Sequence, residues 1–406
     1  MATTTHVIVG ASLAGASAAA ALRKEGFDGR IVLIGDESER PYERPELSKT
    51  YLRGEAKKDL HVHPADYYAE HHIELRTGRP VERIDADRRE VHLGDERIAF
   101  DRLLLATGAT PRRLDVPGGD LNGIVTLRTM ADADRIREAA SAAAHIVVVG
   151  GGWIGSEVAA SLREVGRDVT LVLPWQVPLE NVLGPEIGGM YRQAHEEHGV
   201  TLSTGTFAAG FEGHERVAAV QTSDGRRIPA DLVVVGVGAE PRVELARQAG
   251  LAVDDGILVD ERLETSVPGI FAAGDVANAI HPHYGRRLRV EHWDNAKRQG
   301  RAAAANMLGQ AKAYDRIPYF YSDQYDIGME YTGRAAPDDE LIVRGDLETR
   351  EFIAFWLRSG RVVAGMNVNV WDVAPAIEHL VSAGAVVDVR QLADVARPLE
   401  ELTAAA

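Results

Sequence analysis

The chain has 406 residues, 45 Lys and Arg against 61 Asp and Glu for a formal charge of −16, 45% apolar side chains and no cysteine. That composition supplies enough apolar surface for two or three cores, and it excludes a disordered chain, a collagen-like repeat and a nucleic-acid binder working by overall positive charge. The lack of cysteine also excludes disulfides, thiolate nucleophiles and thiolate-held clusters within the chain, so any redox chemistry needs a borrowed cofactor.

Met1 to His6 is polar, and Val7-Ile8-Val9 stops at Gly10, unlike a secretory signal. No apolar run approaches a membrane span, so a cytoplasmic chain with no membrane partner is expected. Val7 to Val9 predicts a strand, followed by the glycine turn Gly10-Ala11-Ser12-Leu13-Ala14-Gly15 and an Ala-rich helix to about Glu25. Arg30 to Ile34 is the next strand, with Asp36 and Glu37 just past it. A hairpin-like stretch, Val91-His92-Leu93 turning at Gly94-Asp95, leads into the buried strand before Ala106-Thr107-Gly108.

The same order then begins again. Ile146 to Val149 predicts a strand, Gly150-Gly151-Gly152-Trp153-Ile154-Gly155 a second glycine turn, and a helix runs to about Val165. Val169 to Leu173 is the following strand, and Val217 to Gln221 turns at Asp224-Gly225. The segment Ala230 to Arg242 matches Phe100 to Arg112 position by position, with Gly238 in the place of Gly108. Such a repeat predicts an α/β protein with two Rossmann-like, doubly wound nucleotide-binding domains.

A third region follows. Gly256 to Asp260 and Ile270 to Ala273 read as strands, the latter ending at Gly274-Asp275, and a helix is predicted from Trp293 to Met307. From Pro318 the texture changes to short aromatic strands at Tyr319–Tyr321, Phe352–Leu357 and Val362–Val370, then a helical, acidic end. This tail predicts a small α+β C-terminal domain.

A glycine turn between a strand and a helix suits a dinucleotide because the backbone can approach the pyrophosphate at the positive end of the helix. The second turn has Gly150, Gly152 and Gly155 at the fingerprint spacing, whereas Ser12 replaces the middle glycine of the first. An acid past the second strand usually bonds the adenosine ribose. Asp36 supplies it in the first half, but Leu173-Pro174-Trp175-Gln176 offers neither an acid nor an arginine for a 2′-phosphate. The choice between NADH and NADPH stays open, leaning weakly to NADH. The pairs His61/His63, His71-His72 and His281/His283 lack metal-ligand spacing, and no metal is expected. Ser12 and Ser156 lie in nucleotide turns, not in Gly-x-Ser-x-Gly elbows.

These turns occur in order with Arg44-Pro45-Glu46-Leu47-Ser48-Lys49, Ala273-Gly274-Asp275 and Ser322-Asp323-Gln324-Tyr325. From about His6 to about Trp371 the chain resembles the FAD-dependent NAD(P)H:ferredoxin reductases of bacterial oxygenase systems, which have a glutathione-reductase-like fold. The resemblance implies an FAD domain over 1–111 and 241–315, an NAD(P)H domain over 112–240 and a C-terminal domain over 316–406. It implies FAD contacts at Gly10, Ser12, Leu13, Ala14, Gly15, Asp36, Arg44, Lys49, Val81, Ala106, Thr107, Gly108, Arg128, Gly274 and Asp275, with Trp293 and Tyr321 beside the flavin. The nicotinamide coenzyme is expected on Gly150, Gly152, Trp153, Ile154, Gly155, Glu157 and Gly238. Lys49 and Glu157 are expected to pair and to position the nicotinamide against the flavin.

NAD(P)H gives up two electrons at once, a [2Fe-2S] ferredoxin accepts one, and flavin handles both. A chain without a cysteine pair must pass electrons straight from flavin to an external carrier. The expected partner is a ferredoxin serving an oxygenase, with the reductase a monomer or weak homodimer. The basic residues Arg286, Arg287, Arg289, Lys297, Arg298 and Arg301 offer a docking patch for it. Rival readings are a rubredoxin or monodehydroascorbate reductase, a redox-sensing flavoprotein resembling apoptosis-inducing factor, and a chain with degraded nicotinamide binding.

Overall fold

A computed structural model describes residues 4–55 and 59–402. Residues 1–3 of the polar start and 403–406 of the expected C-terminal domain lie outside the described residues. The chain packs as two compact units. The first comprises Met1–Glu43, Asp59–Thr110 and Glu240–Pro318, and the second Arg44–Lys58, Pro111–Ala239 and Tyr319–Ala406.

The first unit is built on a five-stranded sheet in the order Ile270–Ala272, Arg102–Leu105, Thr5–Val9, Arg30–Ile34, Ile73–Arg76. Every pairing in it is parallel. Parallel strands are covered on both faces, which is why Val7-Ile8-Val9 and Leu103-Leu104-Leu105 are unbroken apolar runs, all buried. The Leu13–Lys24 helix owes its alanines to a close neighbour, the Trp293–Met307 helix. A Cβ on Gly300 would lie 2.2 Å from the carbonyl oxygen of Ala14, so only glycine allows the two helices to approach this closely. Each fully buried Ile or Leu in this core contributes about 1.5–3 kcal/mol.

The second unit repeats the sheet in the order Thr201–Ser203, Val169–Val172, Ile146–Val149, Leu232–Val235, Ile124–Thr126, again wholly parallel. Leu232–Val235 lies beside Ile146–Val149 as Arg102–Leu105 lies beside Thr5–Val9. The sequence repeat is therefore a repeat of strand position. Each half also carries its small antiparallel meander, Arg83–Asp85/Glu90–Leu93/Glu96–Ala99 and Ala208–Gly213/Val217–Thr222/Arg227–Pro229.

The tail forms a five-stranded antiparallel sheet in the order Tyr319–Gln324, Ile327–Gly333, Arg361–Val368, Glu351–Arg358, Glu340–Asp346. Three short helices follow, Ala374–Ala383, Val389–Ala393 and Leu399–Leu402. An unexpected element, the Glu180–Glu197 helix, joins this sheet to the second parallel sheet. Its Leu183, Ile187, Met190, Tyr191 and Ala194 share one apolar cluster with Met329, Phe352, Trp356 and Met366. The helix is broken at Gly184, whose φ is +82°, and Pro185 restarts it where a missing N–H costs nothing. No helix among the described residues is long and apolar enough to cross a membrane.

Candidate functional site

Each glycine turn leaves the C-terminal end of the central strand of its sheet, beside the point where strand order reverses. In the first unit a Cβ on Gly10 or Gly15 would lie 2.0 Å from a backbone oxygen, that of Ala106 or of Gly10. Ser12 precedes the Leu13–Lys24 helix without a side-chain cap bond. Gly274 comes within reach of Ala14, where a Cβ would meet the alanine methyl at 3.2 Å, which brings Asp275 to the start of that helix. In the second unit a Cβ on Gly155 would lie 1.8 Å from the Gly150 oxygen. Gly152 differs: a Cβ there would meet nothing within 4 Å. The helix start at Gly152 is thus open and carries no capping side chain. Both turns fit a dinucleotide pyrophosphate on these observations.

Asp36 extends past its strand and pairs with Arg242, Oδ2 to Nη2 at 2.8 Å. Partial burial pushes its carboxyl up, but the Arg242 guanidinium outweighs this and holds it below the usual carboxylate range. Arg242 also donates its backbone N–H to Gly108 at 3.0 Å, and its carbonyl accepts the Thr107 hydroxyl at 2.8 Å. Ala106-Thr107-Gly108 is therefore tied to the acid through an arginine that the sequence reading missed. The repeat itself was its signal, because Arg242 aligns with Arg112. Val81 packs partly buried against the core of the same unit. Trp293, the first residue of its helix, has the Lys297 ammonium 4.4 Å from its ring centroid.

Arg44, Lys49, Arg128 and Tyr321 belong to the second unit. Arg44 donates to the Arg128 carbonyl at 2.5 Å, and the Arg128 N–H is held by Asp132 at the start of the Met130–Ala142 helix. Lys49 follows the Pro45–Ser48 turn and reaches Glu157, one turn into the Trp153–Glu164 helix, Nζ to Oε1 at 3.1 Å. Their side chains are only 6% and 5% exposed. Glu157 accepts two further bonds, from Ser322 at 2.7 Å and Ser48 at 2.5 Å, while the Lys49 ammonium also donates to the Pro45 carbonyl at 3.1 Å. Burying such a pair costs less when further hydrogen bonds support it, and here the two serine hydroxyls and the Pro45 carbonyl do so. Tyr321 completes the group, its ring centroid 5.5 Å from Nζ. Nearby Asp323 is lifted above the ordinary carboxylate value by desolvation, which with the negative charge of Glu157 outweighs the pull of Lys49.

The second turn carries Trp153, edge-on to Phe320 at 4.9 Å between centroids, and Ile154, which is left 45% exposed. Gly238 has φ +102° and lies in the matching turn of the repeat. Behind this site His195 is fully buried, with Nδ1 3.0 Å from the Tyr325 hydroxyl. Burial, aided by His198 and opposed by Gln324, lowers its pKa from 6.5 to about 4. The folded chain therefore keeps His195 neutral where the unfolded chain protonates it. Stability from this group is full above pH 6.5 and falls as the pH drops towards 4, by about 3 kcal/mol. Urea unfolding at pH 7 and pH 4 should show the advantage of the parent over His195→Leu shrinking by that amount.

Of the basic residues expected to dock a partner, several are committed internally. Arg287 donates to the carbonyls of Val259 and Asn278, Arg289 pairs with Asp255 and Glu291, and Arg298 pairs with Asp294. Lys297 and Arg301 instead line a groove of about 640 Å³ with Arg23, Lys24, His63 and Tyr67. The groove also has acids, Glu25 and Glu43.

Comparison with known proteins agrees with this geometry. The pyridine nucleotide-disulphide oxidoreductase family matches residues 4–300, and the reductase C-terminal family matches residues 319–403. Putidaredoxin reductase CamA of Pseudomonas putida is 41% identical over 408 residues, covering 98% of this chain and 97% of its own. The ferredoxin--NAD(+) reductase component of the biphenyl dioxygenase system of Paraburkholderia xenovorans (strain LB400) is 40% identical, covering 98% of each chain. Among solved structures, the covalent putidaredoxin reductase–putidaredoxin complex superposes with a TM-score of 0.95 at 40% identity, covering 100% of this chain and 99% of that one. The chain belongs to the pyridine nucleotide-disulphide oxidoreductase family and carries a reductase C-terminal domain.

Proposed function

We propose that the chain takes electrons from a nicotinamide coenzyme and delivers them, through FAD, to a [2Fe-2S] ferredoxin that serves an oxygenase. The observation that carries this reading is two dinucleotide turns in a chain with no cysteine. Disulfide-type relatives need a dithiol to move electrons off the flavin, and none exists here. FAD, when bound, converts a two-electron donor into a one-electron donor. The relatives named above are reductases of ferredoxins, which supports the choice of acceptor.

The side chains then have limited, definite tasks. Gly10, Ser12, Leu13, Ala14, Gly15, Asp36, Ala106, Gly274 and Asp275 hold FAD in the first unit. Gly150, Gly152 and Gly155 hold the coenzyme pyrophosphate in the second. Glu157, fixed by Lys49 and two serine hydroxyls, orients the nicotinamide carboxamide, and no acid–base residue is required. The groove at Lys24, Lys297 and Arg301 presents local positive charge to an acidic ferredoxin in spite of the overall −16.

Anaerobic stopped-flow mixing tests this directly. NADH or NADPH should bleach the bound flavin rapidly, and a [2Fe-2S] ferredoxin should restore its colour. The second step should slow with added salt, and about tenfold with Lys24→Glu and Arg301→Glu together, as for steered encounters. No bleaching by either coenzyme would sink the reading.

A further inference from the structure

The tip of the second strand differs between the two halves, and the difference bears on which coenzyme the proposed reductase takes. The Gly10 N–H donates to the Ile34 carbonyl at 2.8 Å, and the Gly150 N–H donates to the Val172 carbonyl at the same distance. That equivalence puts Pro174 where Asp36 stands. Proline offers a ribose hydroxyl neither a carboxylate nor an N–H.

The residues that follow do not restore the acid. Glu180 Oε2 accepts the backbone N–H groups of Gln176 at 2.9 Å and Val177 at 3.2 Å, so this carboxylate holds the turn. Trp175 is half-buried, and its carbonyl accepts the Gly205 N–H at 2.9 Å. Phe207, two residues beyond Gly205, is 58% exposed. One cation does reach the turn, and it comes from the Glu180–Glu197 helix that the sequence left unassigned. Arg192 donates from Nη1 to the Gln176 carbonyl at 3.4 Å and from Nε to Glu196 Oε1 at 2.9 Å. Its side chain is 42% exposed, and its Nη2 makes no hydrogen bond to another described residue.

A guanidinium with open donors, at a strand tip lacking the usual carboxylate, suits a phosphate monoester better than a ribose diol. We infer that Arg192 reads the 2′-phosphate of NADPH, and that NADPH serves this chain at least as well as NADH. Arg192 is then a specificity-determining residue, with Glu196 sharing its charge in the absence of ligand. The inference rests on the reductase reading and reverses the weak lean to NADH taken from the sequence, where no arginine stands near Trp175.

Calorimetric titration of the FAD-loaded protein with adenosine 2′,5′-bisphosphate and with ADP provides a test apart from turnover. The bisphosphate should bind at least as tightly as ADP. Arg192→Ala should weaken the bisphosphate about tenfold more than ADP, the scale of one lost charge-assisted bond. Glu196→Gln, which releases the guanidinium, should tighten the bisphosphate. The ratio of kcat/KM for NADPH over NADH should fall with Arg192→Ala in step. A preference for ADP, with Arg192→Ala affecting both nucleotides alike, would overturn the inference and leave the reductase reading standing. Failure of both nucleotides to bind, with neither coenzyme bleaching the flavin, would overturn both.

Discussion

Lys49→Met should lower the unfolding free energy by about 3 kcal/mol or more at neutral pH, because it strands a buried carboxylate. Glu157 would keep the Ser48 and Ser322 hydroxyls but lose the only cation paired with it among the described residues, in a site where both partners are almost fully enclosed. The double variant Lys49→Met with Glu157→Gln should recover much of that loss, since it removes the charge together with its partner. Denaturant unfolding of the two single variants and the double variant closes the cycle. The functional half of the claim rests on Glu157→Gln alone, which preserves shape and hydrogen bonding while removing the charge. Slower flavin bleaching and weaker coenzyme binding are expected from it. Unchanged values of both would show that the ion pair is structural and that the nicotinamide is oriented by other groups.

The second large effect is predicted within the Gly150–Gly155 turn, where two glycines should fail differently. Gly155→Ala places a methyl carbon 1.8 Å from the Gly150 oxygen, a contact no side-chain motion can relieve because the obstacle is backbone. The turn must open, and the second unit should lose several kcal/mol, on the order of the larger single-residue effects known. Gly152→Ala meets nothing within 4 Å and should leave stability nearly unchanged. Its methyl would nevertheless stand where a pyrophosphate approaches the open helix start, and coenzyme affinity should fall at least about tenfold, or about 1.4 kcal/mol. Thermal unfolding monitored beside coenzyme titration separates the two. Equal stability losses at both positions would refute the idea that Gly152 faces a ligand.

Much of this architecture is legible in the sequence because parallel strands announce themselves. Val7-Ile8-Val9 and Ile146–Val149 are buried on both faces, so their apolar runs are continuous and end at glycines that the turn geometry requires. The Trp293–Met307 helix likewise spans its expected residues. The Glu180–Glu197 helix is different. Gly184-Pro185 and Gly188-Gly189 read locally as breaks, yet a Cβ on Gly188 would come within 2.5 Å of Val177. That glycine is set by packing. The apolar stripe of Leu183, Ile187, Tyr191 and Ala194 was the available signal. The strands Ile327–Gly333 and Glu340–Asp346 also fall outside the expected elements. The Ser48 and Ser322 bonds to Glu157 span 109 and 165 residues of sequence and had no local signature at all.

The long reach of the Glu180–Glu197 helix bears on how the protein is made. Its apolar side is covered by strands that leave the ribosome roughly 150 residues later, a wait on the order of ten seconds at ordinary elongation rates. During that interval the nascent nucleotide-binding half carries a sticky, uncovered flank. A gene cut before the tail would yield that flank permanently, a route to inclusion bodies rather than to a smaller working reductase.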